Sequence, residues 1–363
     1  MSIEDHYIKY YSPEKDRNER SDYHHWLLEK GYEPGNEEAN IFGRSFAARL
    51  PLDHCKPKFL EEKAIEFLET NGSEPFMLYV NFLEPHMPFF GPLDSLYAPE
   101  EVILPASFED VPDETDPQYH QLRQEGDSEK YGSTEAEFRE LIARYWGLVS
   151  QVDISVGAIL DKLESLGLSD NTIVVFTSDH GDMMGAHRMV AKGVMYEEAV
   201  RIPFLLRDPR ITTSQRIINE RISQIDIVPT LLDLMGREIP GYLQGKSLVP
   251  ALEQDEFPAE DIFIEWNSHI DYRVREWADR EVTADILASQ ILKPSIRTII
   301  SADGWKMSVS NRGRSQLFDL NKDSLEINNL YDQEAYQETI KDLAGKIHRW
   351  QEATGDTISF PGI

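Results

Sequence analysis

A long helical pattern between two short apolar runs constrains the fold more than any other feature of this sequence. Residues 134–166 carry apolar side chains at helical spacing, beginning with Phe138 and Leu141. The apolar run "PFMLYVNF" at 75–82 precedes this pattern, and "IVVF" at 173–176 follows it. Strand, helix and strand in this order are typical of an open α/β sheet. We therefore predict a mostly parallel sheet with helices on both faces.

The sequence also predicts a second, smaller part. Further helices and one short strand follow from the same patterns, at about 58–69, 228–235 and 333–352 for the helices and at 202–209 for the strand. After about Gln254 the pattern changes to short strand-like runs joined by tight turns, such as Asp303-Gly304. We therefore predict an α/β part at 1–254 and a C-terminal α+β subdomain at 255–363, with short antiparallel strands and a terminal helix.

The charge balance limits the partners of the chain. There are 36 basic and 65 acidic residues, and the net charge of −29 repels nucleic acid at long range. An anionic ligand therefore needs a local cluster of cations or a metal ion. No apolar run approaches the roughly 20 residues that span a bilayer, and no export signal is visible. The single cysteine, Cys55, excludes an intramolecular disulfide, so a cytoplasmic and a periplasmic location both remain open.

A polar cluster follows the second predicted strand, in "FTSDHGDMMGAHRMVAKG". Asp179 and His180 stand directly beyond the strand, where open α/β sheets bind their ligands. A carboxylate beside an imidazole suits a divalent cation, and the hard oxygen favours Ca²⁺ or Mg²⁺. The alternative is a polar turn in which Asp179 caps backbone amides.

Three further residues are candidates for the same chemistry. His86, in "NFLEPHMPF", follows the first predicted strand, and it shares a sheet edge with Asp179 if the two strands are parallel. Lys192 offers an ammonium group to an anion, and His187 either supports the site from behind or contacts the substrate. The alternatives are a loop histidine bound to backbone groups, an ordinary solvated lysine and an exposed histidine.

These residues carry a resemblance to the type I sulfatases of the alkaline phosphatase superfamily. The stretch "TIVVFTSDHGDMMGAHRMVAKGVMYEEAVRIPFLLRDP" resembles the metal strand of that family and the loop behind it. "PFMLYVNFLEPHMPF" is similar to the strand that carries the sulfate-binding histidine. The resemblance runs from about Leu50 to the C terminus. It implies an alkaline-phosphatase-like fold and the metal-dependent hydrolysis of a sulfate ester, on a sulfated small molecule or glycan.

The resemblance also implies roles for single residues. Asp179 and His180 correspond to two ligands of the catalytic Ca²⁺, with Mg²⁺ or another divalent cation as alternatives. Lys192 and His86 correspond to residues that contact the sulfate and help the leaving oxygen depart, and His187 is a further candidate for substrate contact. The nucleophile of the family is a formylglycine, made from a cysteine or serine in the motif C/S-x-P-x-R.

No C/S-x-P-x-R motif and no adjacent pair of metal aspartates matching the family are found in this sequence. The segment "CKPKF" has Phe59 where arginine is required, and its surroundings predict a helix start with Pro57 in the first turn. We therefore expect that the chain lacks the N-terminal nucleophile segment of the family. On that expectation, the chain alone cleaves little or no sulfate ester.

Two other functions remain open at this point. Phosphodiesterases and phosphonate monoester hydrolases of the same superfamily share the Asp-His metal pair, and assays on aryl sulfates and aryl phosphodiesters distinguish them from sulfatases. A non-catalytic fragment, or a protein that binds sulfated glycans without cleaving them, is the third interpretation.

Overall fold

The computed structural model describes residues 20–34, 42–112, 134–211, 214–254, 256–267, 295–311 and 314–360. These residues form two compact units. The described residues within Met1–Leu104 and Glu129–Ile173 make up the first unit, and those within Pro105–Ser128 and Val174–Ile363 make up the second. The predicted boundary near 254 falls inside the second unit, for a reason that its core makes clear.

The described part of the first unit consists of helices and loops. Its helices are α1 (Asp22–Glu29), α2 (Arg44–Ala47), α3 (Lys56–Asn71) and α4 (Glu135–Ser165), with short 3₁₀ turns at Leu52–His54, Pro99–Glu101 and Ser169–Asn171. The helices α3 and α4 agree with those predicted at 58–69 and 134–166. Thr134 and Glu137 form a reciprocal capping box that starts α4. Gly167, with φ +69°, follows its last turn, where a left-handed residue suits the chain reversal.

The core of the first unit forms where α3 meets its neighbours. The helices α3 and α4 are in contact, and α1 packs against α3 through Trp26 and Phe59. Phe59 and Phe138 have no exposed surface. A Cβ atom on Gly147 of α4 would lie 2.6 Å from the carbonyl oxygen of Leu93, so the helix touches the backbone of the loop that passes over it.

The segment "PFMLYVNF" at 75–82 corrects one prediction, because it forms no strand in the described structure. Its residues alternate between half-buried and exposed, and the side chains of Met77 and Tyr79 are 81% and 79% exposed. Val80 and Phe82 pack against the aromatic cluster around α1 and α3. Only one side of the segment is therefore buried in its own unit. The apolar composition of the segment correctly predicted that this side is buried. It carried no information on whether another strand pairs with the segment.

The second unit contains two antiparallel sheets. In the smaller sheet, β1 (Val174–Thr177) pairs with β2 (Phe204–Arg207), with Phe176 opposite Leu205. This corrects the prediction of parallel pairing. The connection at 178–203 contains only the single-turn helix α5 (Glu197–Val200), not the long crossover helix that a parallel pair needs.

The larger sheet has the order β3-β4-β5-β6, and every neighbouring pair is antiparallel. Its strands are β3 (Ile262–Trp266), β4 (Ile296–Ile300), β5 (Trp305–Ser310) and β6 (Gln316–Asp319). Besides α5, the described helices of the unit are α6 (Ile227–Leu234), α7 (Val249–Gln254) and α8 (Gln337–Thr354). The predicted antiparallel strands, the terminal helix and the helix near 228–235 are confirmed. In the described ranges, no helix is long and apolar enough to cross a membrane.

The larger sheet explains why the units divide near Val174 and not near 254. One core cluster joins Ile299, Met307 and Leu317 of the sheet to Leu343 and Ile347 of α8. A second cluster joins the sheet to the segment behind β1, through Ile300, Phe318 and Leu320 on one side and Met183, Met189 and Tyr196 on the other. The C-terminal strands and the loop that follows β1 therefore share one core.

Candidate functional site

The loop that follows β1 carries Asp179, His180 and Lys192. The amide of Gly181 donates a hydrogen bond to the carbonyl oxygen of Ala199 at 2.9 Å, which ties the start of the loop to α5. A Cβ atom at Gly181 would lie 1.9 Å from the carbonyl oxygen of Glu198. Only glycine fits this contact, so the position of Asp179 and His180 depends on it.

Asp182 holds the two ends of the loop together. Its Oδ1 accepts hydrogen bonds from the amides of Met184, at 3.2 Å, and Ala191, at 2.9 Å. Burial raises the pKa of Asp182, and the two amide hydrogen bonds and the charges of Lys192 and His180 oppose that rise. The Asp182 carboxylate therefore lies two residues from His180 in sequence and accepts a hydrogen bond from the amide that precedes Lys192.

The backbone of the loop is strained. Met184, His187, Arg188 and Ala191 have positive φ angles of 36°, 51°, 54° and 71°. A left-handed conformation costs a non-glycine residue roughly 1–3 kcal/mol and persists only where surrounding contacts impose it. Such strain is frequent at functional sites, and here it lies between the two predicted site segments.

Asp179 and His180 each turn one atom that could bind a metal ion toward the other side chain. Asp179 Oδ1 accepts the amide hydrogen of His180 at 3.0 Å. His180 Nδ1 lies 2.7 Å from the carbonyl oxygen of Gly181. Because a carbonyl oxygen can only accept, Nδ1 carries the hydrogen, and the Nε2 lone pair of the neutral ring remains available. Asp179 Oδ2 and His180 Nε2 are 3.6 Å apart.

This arrangement fits one edge of the coordination shell of a cation. Two ligand atoms at about 2.4 Å from one ion and at right angles to each other are roughly 3.4 Å apart. The Asp179 side chain is 84% exposed, so an ion can reach it. A hydrogen bond from the second ring nitrogen to a carbonyl oxygen is the usual way in which a metal-binding histidine is oriented. In the part of the chain that the structure describes, no three His, Cys, Asp or Glu side chains cluster for a metal.

His187 lies in the interior of the second unit. Its side chain has no exposed surface, and its Nδ1 is 2.7 Å from Asp110 Oδ2. The ring stacks on Tyr196 with 4.0 Å between the ring centres and an angle of 14° between the planes. Of the roles that the sequence left open, this geometry favours support of the loop over contact with substrate. The sequence analysis did not identify Asp110 or Asp182, because neither stands in a pattern that reveals its partner.

His86 belongs to the first unit and lines a pocket there. The residues around this pocket are Arg44, Ala47, Ala48, Cys55, Lys56, Leu83, Glu84, His86, Met87, Pro88, Phe90, Leu148 and Gln151. His86 Nδ1 is 3.0 Å from the carbonyl oxygen of Met87, so Nδ1 donates this hydrogen bond. Cis peptide bonds precede Pro85 and Pro88 on either side of it.

Cys55 has the properties of a structural thiol. Burial raises its pKa to about 11, and its Sγ donates a hydrogen bond to the carbonyl oxygen of Leu52 at 2.9 Å. A thiol with this pKa is protonated at neutral pH and is a weak nucleophile. Cys55 also stands at the N-terminal cap of α3, with Pro57 in the first turn. This agrees with reading "CKPKF" as a helix start.

Comparison with known families identifies the class of protein. Residues 5–237 match the sequence model of the sulfatase family, and residues 185–353 match the description "N-sulphoglucosamine sulphohydrolase, C-terminal". The chain belongs to the sulfatase family. Members of this family are hydrolases that act on sulfate esters, and they generally bind a divalent metal and use a formylglycine.

Individual relatives place the chain more closely. It is 27% identical over 369 residues to the "Multifunctional alkaline phosphatase superfamily protein PehA" of Trinickia caryophylli, covering 92% of this chain and 68% of the relative. It is 29% identical over 297 residues to an arylsulfatase of Clostridium perfringens, covering 77% and 54%. The chain therefore spans only about half to two thirds of the length of these relatives.

The fold prediction is confirmed by a solved structure. The phosphonate monoester hydrolase SpPMH of Silicibacter pomeroyi superposes with a TM-score of 0.75 at 20% identity, covering 91% of this chain and 68% of that one. The chain thus has the alkaline-phosphatase-like α/β fold with a C-terminal subdomain.

Proposed function

We propose that this chain carries out the metal-dependent hydrolysis of sulfate esters, with Asp179 and His180 as two ligands of the metal ion. Ca²⁺ is the ion that we propose, and Mg²⁺ or Mn²⁺ are the alternatives, because an imidazole ligand is less specific for Ca²⁺ than a carboxylate. The observation that carries this proposal is the 3.6 Å separation of Asp179 Oδ2 and His180 Nε2, with Asp179 Oδ1 accepting the His180 amide hydrogen and His180 Nδ1 donating to the Gly181 carbonyl oxygen.

The proposed reaction assigns separate tasks to separate groups. Asp179 and His180 would hold a divalent cation, which when bound would supply Lewis-acid withdrawal of charge from the sulfate oxygens. Lys192 offsets the charge of the sulfate, and Asp182 and the strained backbone around it hold the loop that carries this lysine. We assign His86 a contact to a sulfate oxygen or the donation of a proton to the leaving alcohol, and either task needs the doubly protonated ring, because Nδ1 already donates to the Met87 carbonyl oxygen. The role of His86 rests on the resemblance of its motif to that of the family.

Hydrolysis of 4-nitrophenyl sulfate with added Ca²⁺, Mg²⁺ or Mn²⁺ tests the proposal. Because the sequence contains no C/S-x-P-x-R motif, we expect slow turnover at most, and the turnover that occurs should require one of these ions and fall at least 100-fold in Asp179→Asn. The matched control is Asp170→Asn, which makes the same change at an exposed acid in the first unit and should leave the rate unchanged. Equal rates in Asp179→Asn and in wild type would overturn the assignment of the metal site.

A second candidate function is the hydrolysis of phosphodiesters or phosphonate monoesters. The description of PehA as multifunctional favours it, because PehA matches nearly the whole of this chain. Parallel assays on bis(4-nitrophenyl) phosphate and on a phenylphosphonate monoester compare kcat/KM with that for the sulfate. A larger kcat/KM on either phosphorus ester favours this second function. Metal binding at Asp179 without turnover of any of the three esters favours a non-catalytic protein.

A further inference from the structure

A buried group of three charged side chains ties α5 to the larger sheet of the second unit. Lys306 of β5 and Glu326, in the segment that follows β6, each have 1% of the side chain exposed, and Glu197 of α5 has 21%. Lys306 Nζ lies 2.9 Å from Glu197 Oε1 and 2.8 Å from Glu326 Oε1. One ammonium group therefore pairs with two carboxyl groups from different parts of the chain.

Glu326 also binds the backbone of α5. Its Oε2 accepts a hydrogen bond of 2.6 Å from the amide of Glu197, the first residue of that helix. The two carboxyl oxygens of Glu326 therefore face two different donors, one on the sheet and one on α5. Because an ionised carboxyl group accepts at both oxygens, this side chain joins the helix to the sheet.

The turn that carries Glu326 is held in an uncommon backbone conformation. Glu326 has a φ of +55°, in the left-handed region, which a residue with a side chain keeps only where surrounding contacts impose it. The carboxylate of Asp323 accepts hydrogen bonds from the amides of Ile327 and Asn328, at 3.1 and 2.7 Å. These two hydrogen bonds fix the turn from which the Glu326 side chain reaches Lys306.

Folding stability alone is a weak reason to bury these charges. Moving charged groups out of water costs free energy that their mutual attraction often fails to recover. Apolar side chains of similar volume often replace a buried ion pair without loss of stability. In some proteins such charges are retained because they fix one arrangement of neighbouring elements. Here the arrangement that they fix is the position of α5 on the sheet.

The start of the loop that follows β1 rests on α5. The Gly181 amide donates a hydrogen bond to the Ala199 carbonyl oxygen at 2.9 Å. A Cβ atom at Gly181 would lie 1.9 Å from the Glu198 carbonyl oxygen, so the two backbones are in close contact. Gly181 directly follows Asp179 and His180. A chain of direct contacts therefore runs from the buried charges through α5 to the proposed metal ligands.

We infer that Lys306 and Glu326 are positioning residues for the proposed metal site. They hold α5 on the sheet, and α5 holds the backbone of Gly181 next to the two metal ligands. The inference rests on the proposed function, because it takes Asp179 and His180 as ligands of a cation. Loss of the buried charges should loosen the loop and weaken cation binding, even in a protein as stable as wild type.

Hydrogen–deuterium exchange of the metal-free protein tests whether the buried charges hold the loop. The decisive variant combines Lys306→Met with Glu326→Gln, which removes the buried ammonium group and the buried carboxylate together. Its stability to urea should stay close to that of wild type, since neutral replacement of a buried ion pair is often tolerated. Exchange in peptides that cover 178–183 should be about tenfold faster, because a hydrogen bond to a charged group contributes about that factor. The measurement is made at pH 8, above the raised pKa of Glu326 of about 7.

Mn²⁺ titration by calorimetry measures the effect on the metal site. The Kd for Mn²⁺ should rise about tenfold in the double variant, at the lower end of the roughly 10–100-fold loss seen when the support of metal ligands is removed. Asp356→Asn is the matched control, because it breaks another buried ion pair of the same sheet, with Arg297 of β4. It should destabilise the protein and leave both the exchange at 178–183 and the Mn²⁺ affinity unchanged. Circular dichroism checks folding, and Glu326→Gln alone decides the question if the double variant does not fold.

Three outcomes overturn the inference. The first is wild-type exchange at 178–183 in the double variant. The second is equally fast exchange in Asp356→Asn, because general destabilisation would then explain the looser loop. The third is an unchanged Kd for Mn²⁺ in a double variant whose loop exchanges faster. Failure of the proposed function gives a different result, because wild type then binds no Mn²⁺ at Asp179 and His180, while the exchange of the metal-free loop still separates the double variant from its control.

Discussion

The close contact at Gly181 gives the sharpest prediction about the candidate metal site. In Gly181→Ala, the new Cβ atom would stand 1.9 Å from the carbonyl oxygen of Glu198, whereas real Cβ atoms essentially never come within 3.0 Å of such an atom. The loop and α5 therefore have to separate by about 1 Å. This movement weakens or breaks the 2.9 Å hydrogen bond between the Gly181 amide and the Ala199 carbonyl.

The expected cost has two parts. Loss of the hydrogen bond costs about 1 kcal/mol, and overpacking costs typically 1–3 kcal/mol, so the free energy of unfolding should fall by about 2–4 kcal/mol. A misplacement of about 1 Å in an active site can lower catalysis about 100-fold. We therefore expect the affinity for the cation, and with it the hydrolysis of 4-nitrophenyl sulfate, to fall by about that factor, because Asp179 and His180 move with Gly181.

Urea unfolding and cation titration measure the two effects. The control is Gly157→Ala, because nothing lies within 4 Å of a Cβ atom at this helical glycine. Alanine in the middle of α4 should stabilise the protein by about 0.5–1 kcal/mol. A Gly181→Ala protein with the unfolding midpoint and cation affinity of wild type would refute the argument that this contact positions the pair.

Three further predictions concern buried ionisable groups. Arg297 holds the pKa of Asp356 at about 2, below the ordinary 3.8. Asp356→Asn should therefore lower the free energy of unfolding by about 2 kcal/mol at pH 7. Urea titrations should show that this difference between wild type and variant shrinks as the pH falls from about 4 to 2. Burial raises the pKa of Glu326 from 4.5 to about 7, although the charge of Lys306 opposes this rise. The folding stability of wild type should therefore decrease as the pH rises from 4.5 to 7. Thermal unfolding of Glu326→Gln should show a smaller dependence on pH. The raised pKa of Cys55 predicts that iodoacetamide at pH 8 modifies the native protein at least tenfold more slowly than the urea-unfolded chain. A pH-independent loss in Asp356→Asn, a Glu326→Gln profile as steep as that of wild type, or equal alkylation rates would each contradict the corresponding argument.

The helices could be predicted from the sequence because their apolar spacing reports a local property. The long pattern at 134–166 became α4, and its first turn carries the Thr134–Glu137 capping box. The pairing of strands is not local, and β1 and β2 are antiparallel where a mostly parallel sheet was predicted. The apolar run at 75–82 indicated burial without naming a partner, and the antiparallel pairing of β1 with β2 depends on how the loop at 178–203 turns back.

In the candidate site, too, local sequence patterns predicted some residues, and contacts between distant residues were missed. Asp179 and His180 could be predicted because they directly follow an apolar strand run, which is a pattern of neighbouring residues. The contacts that support them could not be predicted in this way. Asp110 meets His187 across 77 positions of the sequence, and the carbonyl group that orients the His180 ring follows from backbone geometry alone. The role of His187 was left open for the same reason, since a histidine in a loop has no periodicity that indicates burial.

Anomalous diffraction from crystals soaked in Mn²⁺ tests the central claim most directly. We expect an anomalous peak at about 2.0–2.5 Å from both Asp179 Oδ2 and His180 Nε2, and no such peak in Asp179→Asn crystals. An ordered Mn²⁺ ion at another place on the protein, with Asp179 Oδ2 and His180 Nε2 contacting only water, would contradict the proposed metal site.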